Sequence, residues 1–261
     1  MYRFMLSARW LGFAVFVALF AGLTIRLGFW QMDRYHQRGE ENRVVAANLD
    51  SAPVGIDAID GDGRTPTSED EWKRVEVRGT YDVDKQVTVK YQTRDAGPGV
   101  DVVTPLVLES GRAVLVDRGW TASQNSGQSI TEVPAPPTGP VTVVGWWRED
   151  SGAKDSAVVP SRGQVRAVSS EGIGTTTDYD LHRGFLDLRT QDPAPSRDDA
   201  LVAEPRPSLG IGPSLFYAWQ WWFFAAMAIT GYFYFAYAEA HPKPRRGSAV
   251  KGERRPTPTS V

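Results

Sequence analysis

The sequence predicts an α+β membrane protein in which two transmembrane helices flank one extracytoplasmic antiparallel β-rich domain, a barrel or a sandwich. Three observations predict it. Apolar residues crowd at the two ends of the 261-residue chain. The stretch between them is polar and broken by short runs of strict alternation. Basic residues collect just outside the apolar runs.

Residues 1–9 form a short basic N-terminus, assigned to the cytoplasm, and residues 10–30 the first transmembrane helix. Its uncharged stretch is Trp10 to Ile25, short for a hydrocarbon core of about 30 Å. It reaches the required length when Arg26 snorkels outward and Trp10 and Trp30 mark the two headgroup levels. A cleavable leader would be cut after Ala21, where Leu19 occupies a position that favours a small residue. The run therefore reads as an uncleaved anchor.

Residues 31–214 are assigned to the β-rich domain. A helix is expected over 32–49, with Val44, Val45 and Leu49 as its apolar face. Arg74–Arg78 and Gln86–Tyr91 alternate in period two, the mark of half-buried strands, and Asp82–Lys85 joins them in the manner of a hairpin. Val100–Leu108 is a third strand, with Pro105 suggesting an edge or a bulge. Ala113–Val116, Val141–Trp147 and Gly184–Leu188 complete the set. Residues 121–140 and 149–163 are polar loops, and 190–210 is an extended Pro-rich approach to the second helix.

Residues 215–238 form the second transmembrane helix. Leu215–Ala238 carries no charge, with Trp219, Trp221 and Trp222 at one end and Tyr232, Tyr234 and Tyr237 at the other, like the aromatic belts of a span. Residues 239–261 form a basic tail with little to bury, expected to be disordered in the cytoplasm.

Charge follows the same division. Residues 1–34 carry +3, 36–212 carry −9, and the tail from Lys243 onward carries +5. Basic ends on an acidic middle argue against a nucleic-acid protein. By the positive-inside rule both termini are expected in the cytoplasm and the domain outside, across the plasma membrane of a bacterium; in a mitochondrion that side would be the intermembrane space. The absence of cysteine excludes disulfides and thiolate chemistry.

His36, His182 and His241 are scattered, with no metal-ligand spacing. No nucleophile elbow or phosphate-cradling loop is present. Asp178 and Asp180 around Tyr179 read as turn residues. The chain does not read as an enzyme.

Four blocks are distinctive: Gly28-Phe29-Trp30-Gln31 with Arg34; Gly99 through Thr104-Pro105-Leu106; Val116-Asp117-Arg118-Gly119-Trp120; and Tyr217 with Trp221. In this order, between two terminal spans, they resemble the Surfeit locus protein 1 family of cytochrome c oxidase assembly factors. That family's pattern has Val-Asn-Arg-Gly-Trp at the third block. The resemblance implies a non-enzymatic role in assembling haem-copper oxidases, with oxidase subunits and the lipid bilayer as partners. It also implies transient haem a binding in some members.

The family often carries a histidine three residues before the tyrosine of the last helix, and Ser214 stands there. A hydroxyl is a poor iron ligand beside imidazole, which leaves His36 as a substitute ligand. Trp30, Gln31, Arg34, Arg118, Trp120, Tyr217 and Trp221 are the candidate contacts to partner or haem. Each also has a structural reading: interfacial anchor, helix cap, ion pair or core residue.

Overall fold

The computed structural model describes residues 3–123, 133–196 and 201–242. Contacts divide the chain into two compact units, Met1–Gln37 with Ile211–Val261, and Arg38–Gly210. Residues 243–261 of the tail expected over 239–261, and 124–132 of the 121–140 loop, lie outside the described residues.

The domain is a barrel. Its strands are β1 (Val54–Gly55), β2 (Arg74–Tyr81), β3 (Val87–Arg94), β4 (Gly97–Leu108), β5 (Ala113–Ala122), β6 (Pro140–Arg148), β7 (Gln164–Val165) and β8 (Leu181–Asp192). Five of them close a ring in the order β2-β4-β5-β8-β6 and back to β2, a Greek-key closure of the OB type. The alternation in β2 does what its period demands: Val75, Val77, Gly79 and Tyr81 are buried, and Glu76, Arg78 and Thr80 are exposed. The short helices α2 (Asp57–Asp60), α3 (Asp155–Val158) and α4 (Ser170–Gly174) sit in the connections.

Several expectations are corrected. The ring is not wholly antiparallel, because β5 and β8 run parallel, with Asp117 opposite Asp187. β2 and β3 do not form a hairpin, since no ladder joins them. Both instead pair with β4, whose first half takes β3 (Val103 opposite Val87) and whose second half takes β2 (Leu106 opposite Tyr81).

Pro105 lies where β4 changes partner, at neither an edge nor the ladder irregularity, which falls between Asp101 and Val103. Its carbonyl accepts from the Asp82 N–H. A strand residue turns its N and C=O to the same side, so the missing N–H falls in the gap between β3 and β2. The proline therefore costs the ladder nothing.

β4 is buried from Gly99 to Leu106 because both its faces are covered. Inside the ring lie Val75, Val77, Leu106, Val114, Val116, Val143, Trp147 and Leu186. Outside β4 and β5, a second cluster of Val87, Val89, Val103, Leu115, Val165 and Ile173 packs under β3, β7 and α4.

The helical unit is built from the start of α1 (Ala8–Leu49) and from α5 (Ser214–Ala240). α1 runs without a break through the two separate helices expected at 10–30 and 32–49. Trp10 meets Tyr232 edge-on at 5.6 Å, and Phe29 meets Trp222 at 5.6 Å, so the helices pair antiparallel. Small residues face inward: Ala21 and Thr24 from α1 and Ala218, Ala225 and Ala236 from α5 are buried. A Cβ on Gly28 would overlap the Trp222 indole. Large apolar side chains face outward, among them Leu11, Val15, Leu19, Leu23, Phe223, Met227 and Phe233.

Among the described residues, only α1 is apolar and long enough to cross a membrane by length and composition. α5 has the length, but its many indole and phenol groups lower its hydropathy.

Trp120 on β5 lies over Gly99 on β4, where a Cβ would overlap the indole. Gly99→Ala is therefore expected to destabilise the domain by roughly 1–3 kcal/mol, read as a lower urea midpoint. Adding Trp120→Phe should recover part of the loss. An unchanged midpoint in Gly99→Ala would show that the contact is loose.

Candidate functional site

The end of β5 carries the site. Successive strand residues face opposite sides, so Asp117 and Arg118 are buried apart rather than paired. Arg118 follows Val114 and Val116 toward the barrel interior. Its side chain closes one end of the core, and only 5 % of the residue is exposed. Nη1 donates to Gln86 Oε1 at 3.0 Å and Nη2 to the Pro134 carbonyl at 2.8 Å. Thr104 Oγ1 donates to the same Gln86 oxygen at 3.0 Å. The guanidinium lies 5.8 Å from the Tyr81 ring, whose hydroxyl donates to Gln191 Oε1.

Gly119 has φ +121°, and a side chain there would run into the Val202 carbonyl. This glycine lets the 201–204 segment lie beside β5, where Trp120 and Val202 exchange two backbone hydrogen bonds of 2.8 Å. Trp120 Nε1 donates to the Gln92 carbonyl at 3.1 Å. Where β8 parts from β5, a cavity of about 300 Å³ opens between Arg118, Leu188, Arg189, Gln191 and Leu201.

The opposite face of β4, β5 and β8 holds three buried carboxyls, Asp101, Asp117 and Asp187. Arg94 Nη2 donates to Asp101 at 3.0 Å and also pairs with Glu204. Arg148 Nη1 donates to Asp187 at 2.7 Å and its Nε to Glu71 at 2.8 Å. Asp117 Oδ1 accepts from the Gly119 N–H at 2.9 Å.

Burial pushes the Asp101 carboxyl up to about 6, against the pull of Arg94. Burial, then the charges of Asp101 and Asp187, push the Asp117 carboxyl well above its ordinary value. Asp187 is raised by burial, although Arg148 opposes the shift. Each of these shifts favours the protonated carboxyl, most of all at Asp117 where no arginine pairs with it directly. A protonated Asp has the shape and neutrality of Asn, the residue in the pattern of the resembled family. Oxygens of Asp101, Asp117 and Glu204 lie within 4.8 Å of one another. Arg94 already occupies the place a cation would take against two of them.

Beside this network Arg148 stacks on Trp72 at 3.8 Å and Arg189 on Trp146 at 4.1 Å, with Arg206 5.9 Å from the same ring. Burial, then the Arg206 charge, lowers the Arg189 pKa. Trp72 holds φ +67°, uncommon for a bulky residue.

Sequence reasoning found Arg118 and Trp120 through their motif. It missed Asp101, Asp187, Arg94, Glu204 and the tryptophan–arginine stacks, whose members are far apart in sequence. The remaining candidates lie in the helical unit or on α1. Trp30, Arg34, His36 and Tyr217 are exposed, Gln31 and Trp221 are half-buried, and Ser214 is buried as the first residue of α5.

Haem a, the group implied by the resemblance, is not matched by these donors. Position 214 offers a hydroxyl. His182 is buried with Nδ1 3.1 Å from Asp60 Oδ2, and His36 is exposed with its ring edge against Tyr35.

The buried acids make stability fall as pH rises. Unfolded, these carboxyls ionise at their ordinary value of 3.8, whereas folded Asp101 holds its proton to about 6. Folding takes up protons across that window. The contribution is whole below pH 4 and is lost as pH climbs through 6, on the order of a few kcal/mol in all. Asp117→Asn, neutral at every pH, removes one acid's share and is expected to lessen this loss without abolishing it. Urea midpoints from pH 4 to 8 measure both effects.

The family model for the SURF1 family matches residues 18–226. Uncharacterised SURF1-like proteins of Mycobacterium tuberculosis and Mycobacterium bovis are each 29 % identical over 246 residues, covering 93 % of this chain and 89 % of the relative. A SURF1-like protein of Drosophila melanogaster is 27 % identical over 124 residues, covering 41 % of this chain and 40 % of its own. The family match runs from within α1, through the barrel and its Asp117–Trp120 block, into α5; the chain belongs to the SURF1 family.

Proposed function

We propose that this protein is a two-span plasma-membrane assembly factor for haem-copper cytochrome c oxidase, acting by binding oxidase subunits rather than by catalysis. The observation that carries the reading is the inverted pattern of the α1–α5 pair within a chain of this family. Its small residues pack inward and its large apolar ones face out. In water that arrangement would expose a large apolar surface. In lipid it is the expected one, because close backbone approach rather than hydrophobicity drives helix pairing there.

At 27 residues α5 spans about 40 Å, enough to cross. Basic residues before α1 and beyond α5 favour, by the positive-inside rule, a topology with both termini cytoplasmic and the barrel outside. The barrel's half-buried arginines and tryptophans are the residue types that anchor protein interfaces. The proposed role is to hold an incomplete oxidase subunit until its fold closes, a stabilisation by mass action. Any contribution to haem a insertion is then indirect, through the held subunit, because position 214 supplies no iron ligand.

Deleting the gene is expected to lower haem a content and cytochrome c oxidase activity of membranes several-fold, with other respiratory activities unchanged. Normal values would remove the proposal. Stoichiometric retention of the chain in active, detergent-extracted oxidase would instead make it a constitutive subunit.

A further inference from the structure

Residues 201–206 run along the barrel where β8 parts from β5, and little that is apolar fastens them there. Val202 is 57 % exposed and Ala203 lies on the surface, so the attachment is mainly polar. Trp120 and Val202 exchange their two backbone hydrogen bonds. Arg189 Nη1 donates to the Glu204 carbonyl at 2.6 Å, and Arg206 reaches Asp50 at 3.4 Å. The remaining fastening is the Glu204 carboxylate. It shares Arg94 with Asp101 and has an oxygen within 4.8 Å of oxygens of Asp101 and Asp117.

Every element packed around that carboxylate brings a charged or titratable group. β3 supplies Arg94, β4 Asp101, β5 Asp117, and β8 Asp187 and Arg189. Arg148 of β6 pairs with Asp187 and with Glu71. Carboxyls outnumber guanidiniums in this set, and the next cation, Arg206, is engaged outside it with Asp50. Full ionisation would leave a net negative charge beneath the segment that carries Glu204, with Arg94 divided between two claimants. A proton on Asp101 or Asp117 removes that excess and leaves Arg94 to Glu204.

We propose that residues 201–206 are a proton-held strap, closed on the barrel while the carboxyl cluster carries protons and released from β5 as the cluster ionises. Release takes Leu201 and Ala203 away from the wall of the 300 Å³ cavity, so that Arg118, Leu188 and Gln191 border an open groove. Burial already favours the protonated form, with Asp101 raised to about 6. Closing the strap takes up protons, so closure is whole at low pH and is lost as pH climbs through 6. A segment with few buried apolar contacts opens at a lower cost than the barrel unfolds. The device needs only the barrel and its strap, and is independent of both the membrane reading and the oxidase role.

The test is hydrogen exchange of the full-length protein in phosphatidylcholine nanodiscs from pH 5 to 7, with intrinsic exchange rates divided out. The Trp120 and Val202 amides report the strap, and the β2 amides bonded to β6 report the barrel. Strap protection is expected to stand at least about 10-fold below that of β2 at pH 7. It should fall about 10- to 100-fold across the range, because an opening that releases one proton shifts up to tenfold per pH unit. Asp117→Asn removes one acid and keeps an oxygen for the Gly119 N–H; Glu204→Gln removes the strap's own charge and keeps an oxygen for Arg94. Each should make the fall shallower. Strap amides protected as well as those of β2, protection that does not change with pH, or a pH dependence that Asp117→Asn or Glu204→Gln leaves unchanged would overturn the proposal.

Discussion

The barrel depends on one short ladder, Gly79–Tyr81 of β2 against Leu106–Leu108 of β4, which turns an open sheet into a ring. The approach is close: a Cβ at Gly79 would overlap the Val107 carbonyl. Closure removes two edges and seals Val75, Val77, Leu106 and Trp147 away from water. It also frees the first half of β4 to carry β3 on its outer side, which gives the domain its second apolar layer. A strand serving two partners needs a point where neither requires its amide, and Pro105 supplies that point.

Closing the ring creates an electrostatic problem at the end of β5. Two adjacent charged residues enter the protein on opposite faces, so neither can neutralise the other. Among the described residues, Arg118 donates to the Gln86 amide oxygen and the Pro134 carbonyl. At Asp117 burial and the charges of Asp101 and Asp187 favour the protonated form, and Arg94 and Arg148 serve the two flanking carboxylates. Full ionisation of the three acids would put three charges on neighbouring strands in a medium of low dielectric. Replacing one charge by a proton is the smaller cost.

The helical unit follows another solvent's rules. Its inner surface is made of Ala, Thr and Gly, and its outer surface of Leu, Val and Phe, the reverse of a soluble helix pair. Thr24, buried within the pair, turns its hydroxyl back to the Phe20 and Ala21 carbonyls of its own helix.

The sequence by itself determined the local pattern. Period-two alternation marked Arg74–Arg78 and Gln86–Tyr91 as strands, the apolar stretch from Trp10 to Ile25 marked α1, and the third motif block pointed to Arg118 and Trp120. The strand and helix readings hold because each depends on neighbours within a few residues. Strand partnership was left to the tertiary structure: which strand closes the ring, that β8 runs parallel to β5, and that Pro105 sits at a change of neighbour. Asp101, Asp117, Asp187 and Glu204 are ordinary acids in the chain, spread over about a hundred residues. They become a coupled cluster only when β4, β5 and β8 lie side by side, because burial and charge proximity are properties of the packed protein and have no period to read.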